Sequence, residues 1–209
     1  MVFKSIITAV VEGEAGRVRR LIADALAKGY PAEEIIEKAL LPALDLVGQQ
    51  FRKSEVFIPE VLLASRAAKA GLYALRGQFR SPEHKRKEAR VLIGTVAGDM
   101  HDIGKNLVSM YLSARGYEVI NLGIDVPPEQ FVWAVRQHKP DIVAMSALLT
   151  TTMPAMGETI EALKKAKLRE RVLVLVGGGP VTETFAEEIG ADGYAYDARG
   201  AAEWVSSIF

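Results

Sequence analysis

Of the three histidines in the chain, one stands where chemistry would be done. His101 lies in Asp99-Met100-His101-Asp102-Ile103-Gly104, between two carboxylates. A carboxylate can hold one nitrogen of an imidazole while the other faces a ligand, which suits metal ligation or proton transfer. A solvent-facing histidine in a polar loop would give the same pattern. His84 stands in a run of charge and His138 beside Lys139 and Pro140, both ordinary surface settings. No second histidine is near His101 and the chain has no cysteine, so a zinc site built from protein ligands alone is poorly supported. A metal already held by a cofactor needs only one protein ligand.

The elements around His101 give it a position. Residues 91–96 are an apolar run that reads as a strand, and His101 follows at its carboxyl edge. Further strands are expected at 117–121, 141–147, 171–177 and 193–195. Helices are expected at 103–115, 128–138, 154–168, 182–189 and from 198 onward. Apolar strands alternating with helices imply a parallel sheet covered on both faces. Ligands in such sheets sit beyond the carboxyl ends of the strands. Ser146 and the run Gly177-Gly178-Gly179 stand at two other strand ends. A triple glycine alone also fits a plain turn.

The first 80 residues read as helices only, over 3–12, 14–28, 32–51 and 60–78. Val18, Leu21, Ile22, Ala25 and Leu26 recur at helical spacing, Gly29 stops that run, and Pro31 starts the next. The third helix is expected to bend near Pro42. Phe57, Ile58 and Leu62 stand at the turn into the last helix, where core packing is the ordinary use of such residues. Four helices with short connections suggest a bundle. Arg80–Arg90, RSPEHKRKEAR, has almost nothing to bury and reads as a linker. The expected division is a helical domain at 1–80, a linker at 81–90 and an α/β domain at 91–209.

Composition narrows the class. With 209 residues and 49% apolar content, one sizeable core or two small ones can form. Lysine plus arginine equals aspartate plus glutamate, 26 against 26, and no helix-turn-helix segment is evident, so a nucleic-acid partner is not expected. No run approaches the roughly 20 apolar residues of a membrane span. The apolar start is short and runs into a charged helix, a poor match to a signal peptide. Without cysteine there is no disulfide framework, and a cytoplasmic setting is the natural expectation.

The motif Asp99-x-His101-x-x-Gly104 resembles the signature of the cobalamin (vitamin B12)-binding domain family. Ser146-x-Leu148 follows Gly104 after 41 residues, the family spacing, and Gly177-Gly178 closes the fourth strand. Gly94-Thr95-Val96, Ser146–Met153 and Gly190-Ala-Asp-Gly-Tyr194 are also similar to the family. The helical half, with Val47-Gly48-x-x-Phe51 and Phe57-Ile-Pro-Glu60, resembles the cap that precedes the cobalamin domain in methionine synthase. The layout is most similar to small corrinoid proteins of methanol and methylamine methyltransferase systems. The resemblance implies an all-α four-helix cap followed by an α/β Rossmann-like (flavodoxin-like) parallel-sheet domain.

The resemblance also implies roles. His101 would replace the cofactor's own benzimidazole as lower axial ligand of cobalt. Asp99 would hold its other ring nitrogen, and Thr152, on the helix after strand three, would complete a hydroxyl relay where the family often has serine. The neighbours Met100, Asp102 and Ile103 would flank the cofactor. Gly104, Ser146, Leu148, Thr150, Gly177, Gly178 and Gly179 would receive the displaced nucleotide tail, with Tyr196, Asp197 and Ala198 at the last strand end. Phe57, Ile58 and Leu62 would shield the upper cobalt face.

The implied function is methyl carriage on a corrinoid cycling between cob(I)alamin and methylcobalamin. A substrate-specific methyltransferase would load the methyl group. A second methyltransferase would pass it to a thiol or pterin, and a corrinoid reductive activator would restore the carrier. Homo-oligomerisation stays open, as do a cobalamin-binding sensor, a mutase subunit and a flavodoxin-like scaffold domain without corrinoid. The chain has no room for a catalytic barrel of roughly 250 residues, so the substrate sites would belong to partners. If the cap must move to admit them, stiffening 80–90 should slow methyl transfer and leave corrinoid binding intact. Spectroscopic titration beside a transfer assay checks this, and loss of binding would contradict it.

Overall fold

The structure, a computed structural model, describes residues 2–79 and 89–209. The chain divides into two compact units, Met1–Arg80 and Ser81–Phe209. Most of the segment expected to be a linker lies outside the described residues. Its last residue, Arg90, already belongs to the first strand.

The first unit is helical. Helices α1 (Val2–Val11) and α2 (Ala15–Ala27) are followed by one continuous rod over 32–52. That rod begins as α3 (Ala32–Ile35), widens to a π-helical turn at Ile36–Leu40 and continues as α4 (Leu41–Arg52). Pro42 gives the widening a physical reason. It has no N–H to donate, and its ring crowds the preceding turn. The Leu41 N–H reaches Ile36 C=O, five residues back, and the chain passes Pro42 without ending the helix.

Helix α5 (Ile58–Leu75) starts two residues earlier than the sequence pattern predicts and passes into a 3₁₀ turn at Arg76–Phe79. The Glu60 carboxylate accepts the Phe57 N–H at 3.1 Å, which makes Phe57 the cap and Pro59 an early helical residue. Ile58 is thus the first helical residue and not part of the turn. Gly71 lets α5 pack closely: a Cβ there would stand about 3 Å from side-chain carbons of Leu40, Ile22 and Val18. Those three, with Ile6, Ile35, Ile36 and Leu75, form the buried centre of this unit.

The second unit is a five-stranded, wholly parallel sheet flanked by helices. Its strands are β1 (Arg90–Thr95), β2 (Glu118–Asn121), β3 (Ile142–Ser146), β4 (Leu173–Gly177) and β5 (Gly193–Ala195). They are ordered β2-β1-β3-β4-β5. The helices are α6 (Ile103–Ala114), α7 (Pro128–His138), α8 (Pro154–Lys165), α9 (Glu183–Ile189) and α10 (Ala198–Ile208). The expected cap-plus-Rossmann-like architecture is present. The fourth strand starts at Leu173 and not at 171, because Arg169–Arg171 form a 3₁₀ turn.

Central strands are buried on both sides, which explains their nearly unbroken apolar runs. Order reverses between β1 and β3: the chain leaves β1 for β2 on one side and returns to β3 on the other. The loops after β1 and β3 therefore open a crevice at the switch point. Beneath it, Phe131 of α7 is fully buried and its ring fills the space that Gly94 of β1 leaves. Phe131→Ala should cost about 3–5 kcal/mol of unfolding free energy, read from urea denaturation of the full chain. A loss below about 1 kcal/mol would show that this layer collapses to refill the space.

Candidate corrinoid site

The loop from Val96 to Asp102 and the loop from Ala147 to Met153 meet through one carboxylate. Asp99 is fully buried. Its Oδ1 accepts the His101 backbone N–H at 3.0 Å and lies 2.7 Å from His101 Nδ1. Its Oδ2 accepts the Leu148 N–H at 2.7 Å, the Leu149 N–H at 3.3 Å and the Thr152 hydroxyl at 2.7 Å. Thr152 is buried, and its hydroxyl also lies 2.9 Å from Leu149 C=O. One carboxylate thus fastens strand end β1 to strand end β3 and holds the imidazole.

The remaining ring nitrogen, Nε2, has no hydrogen-bond partner among the described residues, and the His101 side chain is 49% exposed. With Nδ1 donating to Asp99, the Nε2 lone pair is left free to accept a ligand. The backbone around it is fixed as well. Thr95 Oγ1 donates to His101 C=O at 2.8 Å, and the Asp99 N–H reaches Val96 C=O at 3.1 Å. Gly98 turns the chain at φ 78°.

Electrostatics suit a permanent carboxylate. Burial pushes the Asp99 pKa up, but donors outweigh it: the N–H groups of His101 and Leu148, the Thr152 hydroxyl and the His101 ring bring it from 3.8 to about 2. At neutral pH the imidazole faces an anion and not a proton donor.

The other predicted positions divide into three groups. Met100 is exposed beside His101, Asp102 immediately precedes α6 without a side-chain capping bond, and Ile103 and Gly104 open that helix. Asp99, and not Asp102, is the carboxylate on the ring. Thr152 lies in the turn before α8 and not on the helix, because α8 starts at Pro154. The turn is what lets its hydroxyl point back to Asp99.

The second group lines strand ends. Ser146 ends β3, with Leu148 and Thr150 exposed just beyond it. A Cβ at Gly104 would meet nothing within 4 Å, so that flank is open. Gly177 and Gly178 answer to the protein itself. A Cβ on Gly177 would approach Ala195 C=O at 2.6 Å, and one on Gly178 would collide with Ala147 C=O. Gly178 also has φ 138°, where a side chain is strained. Gly179 faces Leu148 Cδ1, 3.1 Å from where a Cβ would stand.

The third group is engaged elsewhere or belongs to the helical unit. Asp197 caps α10, its carboxylate accepting the Gly200 N–H at 2.7 Å, with Ala198 the first helical residue. Tyr196 beside it is 83% exposed. Phe57, Ile58 and Leu62 are each 64% exposed at the start of α5, an apolar edge on a helix whose other face is core.

Sequence reading did not single out Thr95 or the backbone donors of Leu148 and Leu149. It also passed over Asp125, which grips the His101 loop from the β2 side. Its N–H donates to Asp99 C=O at 3.0 Å and its Oδ1 accepts the Gly98 N–H at 2.7 Å.

Among the described residues no group of three or more His, Asp or Glu side chains could hold a metal ion. The donor set is one imidazole on an open crevice, which fits a metal carried in its own macrocycle. Comparison with known proteins agrees. The B12 binding domain family matches residues 89–203, and a second B12 binding domain family matches residues 2–76. The chain belongs to the B12-binding family. It is 40% identical over 193 residues to a dimethylamine corrinoid protein of Methanosarcina acetivorans, covering 92% of this chain and 89% of that one. Among solved structures it is similar to the monomethylamine corrinoid protein of Methanosarcina barkeri, with a TM-score of 0.90 and 34% identity. That match covers 100% of this chain and 98% of the other. A chain of the methanol:cobalamin methyltransferase complex of the same organism matches with a TM-score of 0.55 and 30% identity, covering 99% of this chain and 79% of that one.

The depressed Asp99 pKa has a stability consequence. The folded state binds this proton less tightly than the unfolded chain, so the contribution is complete above about pH 4 and fades as pH falls toward 2. Its size is about 2 kcal/mol. Between pH 5 and pH 2 the cofactor-free wild type should lose about that much more unfolding free energy than Asp99→Asn. Parallel pH profiles in urea titrations would assign the acid sensitivity to other groups.

Proposed function

We propose that this protein carries a methyl group on a bound corrinoid between two methyltransferases. The observation that supports the reading most is the His101 imidazole, fixed at Nδ1 by a buried carboxylate and open at Nε2 above a switch-point crevice. When bound, the corrinoid supplies a cobalt centre that can take a methyl group from one partner and give it to another.

The chain's own residues do the holding. His101 would ligate cobalt through Nε2. Asp99 would keep Nδ1 protonated, directing the lone pair outward and raising the ring's basicity as a ligand. Thr152 and the Leu148 N–H keep Asp99 ionised. Ser146, Leu148, Thr150 and Gly179 stand at the strand ends where the nucleotide tail would enter, and Gly104 leaves that flank unobstructed. Phe57, Ile58 and Leu62 offer an apolar edge suited to keeping water from a reactive centre.

Partners complete the reading. The names of the relatives include methylamine corrinoid proteins and a methanol:cobalamin methyltransferase complex, which supports a methyltransferase at the loading step. The donor would be chosen by that partner. A second methyltransferase would remove the methyl group, and a reductive activator would rescue oxidised carrier. No helix among the described residues is long and apolar enough to cross a membrane, which is compatible with a cytoplasmic carrier.

Purified protein given cobalamin should retain it through desalting and show a corrin absorption pattern. His101→Ala should bind at least about tenfold more weakly. A wild-type chain that ignores added cobalamin would overturn the reading.

A further inference from the structure

The established signature explains how the imidazole ring is held, but a ring is aimed only as well as its backbone. The His101 loop is gripped from two sides. From β3 come the donors to the Asp99 side chain. From β2 comes the turn at 121–126, and it grips the Asp99 main chain.

That second grip is built in steps. Lys105 of α6 is buried, and its Nζ donates to Asn121 Oδ1 and to Asn106 Oδ1, each at 2.8 Å. Asn121 Oδ1 also accepts the Gly123 N–H at 2.9 Å, which fixes the start of the turn. Gly123 C=O accepts the Thr95 N–H at 3.0 Å, and the Val126 N–H returns to Thr95 C=O at 2.9 Å. Thr95 is the residue whose hydroxyl holds His101 C=O. At the tip, Asp125 closes a two-point ring on the Gly98–Asp99 segment, with its N–H on Asp99 C=O and its carboxylate on the Gly98 N–H.

Asp125 does this from φ 52°, a left-handed conformation that residues other than glycine seldom adopt. Asparagine and aspartate tolerate it better than most, but a plain turn would be served best by glycine. A non-glycine residue kept in such a conformation, with its amide and its carboxylate bonded to the same loop, indicates a use for that side chain.

We infer that Asp125 is a positioning residue for the lower ligand: it sets the height and tilt at which His101 presents Nε2. This rests on the corrinoid reading. It adds a residue from the far side of β1 to the apparatus that aims the imidazole, with Lys105 and Asn121 as its anchor.

Asp125→Gly separates the alternatives, since it removes the carboxylate and relieves the backbone. A merely structural turn residue would leave His101 unchanged in the folded chain, whatever the change in thermal midpoint. A positioning residue would loosen the ring while the chain stays folded at the temperature of measurement. Two readouts follow the ring in the full chain. In cofactor-free protein, nitrogen NMR reports the fraction of His101 with the proton on Nδ1. In protein loaded with cobalamin and reduced to the cobalt(II) state, electron paramagnetic resonance reports coupling to an axial histidine nitrogen.

Asp125→Gly should lower both signals and weaken cobalamin binding by about tenfold. Asp125→Asn, which keeps a side-chain acceptor, should restore them. Wild-type signals in Asp125→Gly would overturn the inference. So would lost signals that accompany unfolding of the chain at the temperature of measurement, or a failure of Asp125→Asn to rescue. If wild-type protein binds no cobalamin, the corrinoid reading fails instead, and the tautomer measurement still decides the role of Asp125.

Discussion

The Asp99 carboxylate is the constraint on which the α/β unit's chemistry depends. Burying an ion is costly unless its lone pairs are met by donors. Here two backbone amides of the β3 loop, the His101 amide, the His101 ring and the Thr152 hydroxyl meet them. The same contacts that make the buried charge tolerable also join two loops that are some 50 residues apart in sequence. Stability and ligand geometry are therefore one property of this site. Removing any one of these donors would both loosen the imidazole and leave a buried anion short of a partner.

The fold supplies the meeting place. Parallel strands need long crossovers, so their carboxyl ends gather loops from distant parts of the chain. The reversal between β1 and β3 leaves their two loops facing each other, without a crossover helix between them. Three packing choices bring the ends close enough. Gly94 yields to the Phe131 ring, Gly177 to Ala195 C=O and Gly178 to Ala147 C=O. Gly177 and Gly178 were expected, by resemblance, to make room for a nucleotide tail. Both, at the β4 end, are needed so that neighbouring strand ends can approach each other.

How much of this was legible in the sequence follows from what each contact is made of. Strand and helix alternation was legible because burial on both faces forces apolar runs. His101 stood out by its type and its place between two carboxylates at a strand end, whereas the pairing of Asp99 with its ring and the part of Thr152 came only from the family resemblance. The early start of α5 was missed, because it turns on one Glu60 carboxylate reaching back to Phe57 N–H. The widening ahead of Pro42, where a bend was expected, was missed too: a missing donor announces a disruption and does not say whether the helix bends, ends or widens. The amides of Leu148 and Leu149 could not be read at all, since any residue there would offer the same donor.

Asp125 shows the limit most clearly. In Gly123-Ile-Asp-Val-Pro127 an aspartate reads as an ordinary turn residue before a proline pair. Its partners, Gly98 and Asp99, lie 27 and 26 residues earlier and are met through main-chain atoms. Only the three-dimensional turn, with its left-handed backbone at Asp125, shows that the carboxylate and the amide of one residue close on the same peptide segment. The signature motif points to the proposed ligand. Its aim is distributed over the strand on either side of β1: the β3 loop holds the Asp99 side chain, and the β2 turn holds its backbone. A histidine fixed at its ring alone could still ride up or down with its loop. One fixed from both flanks has a defined height over the crevice, and ligation by a single imidazole requires that definition because no second protein ligand can correct an error.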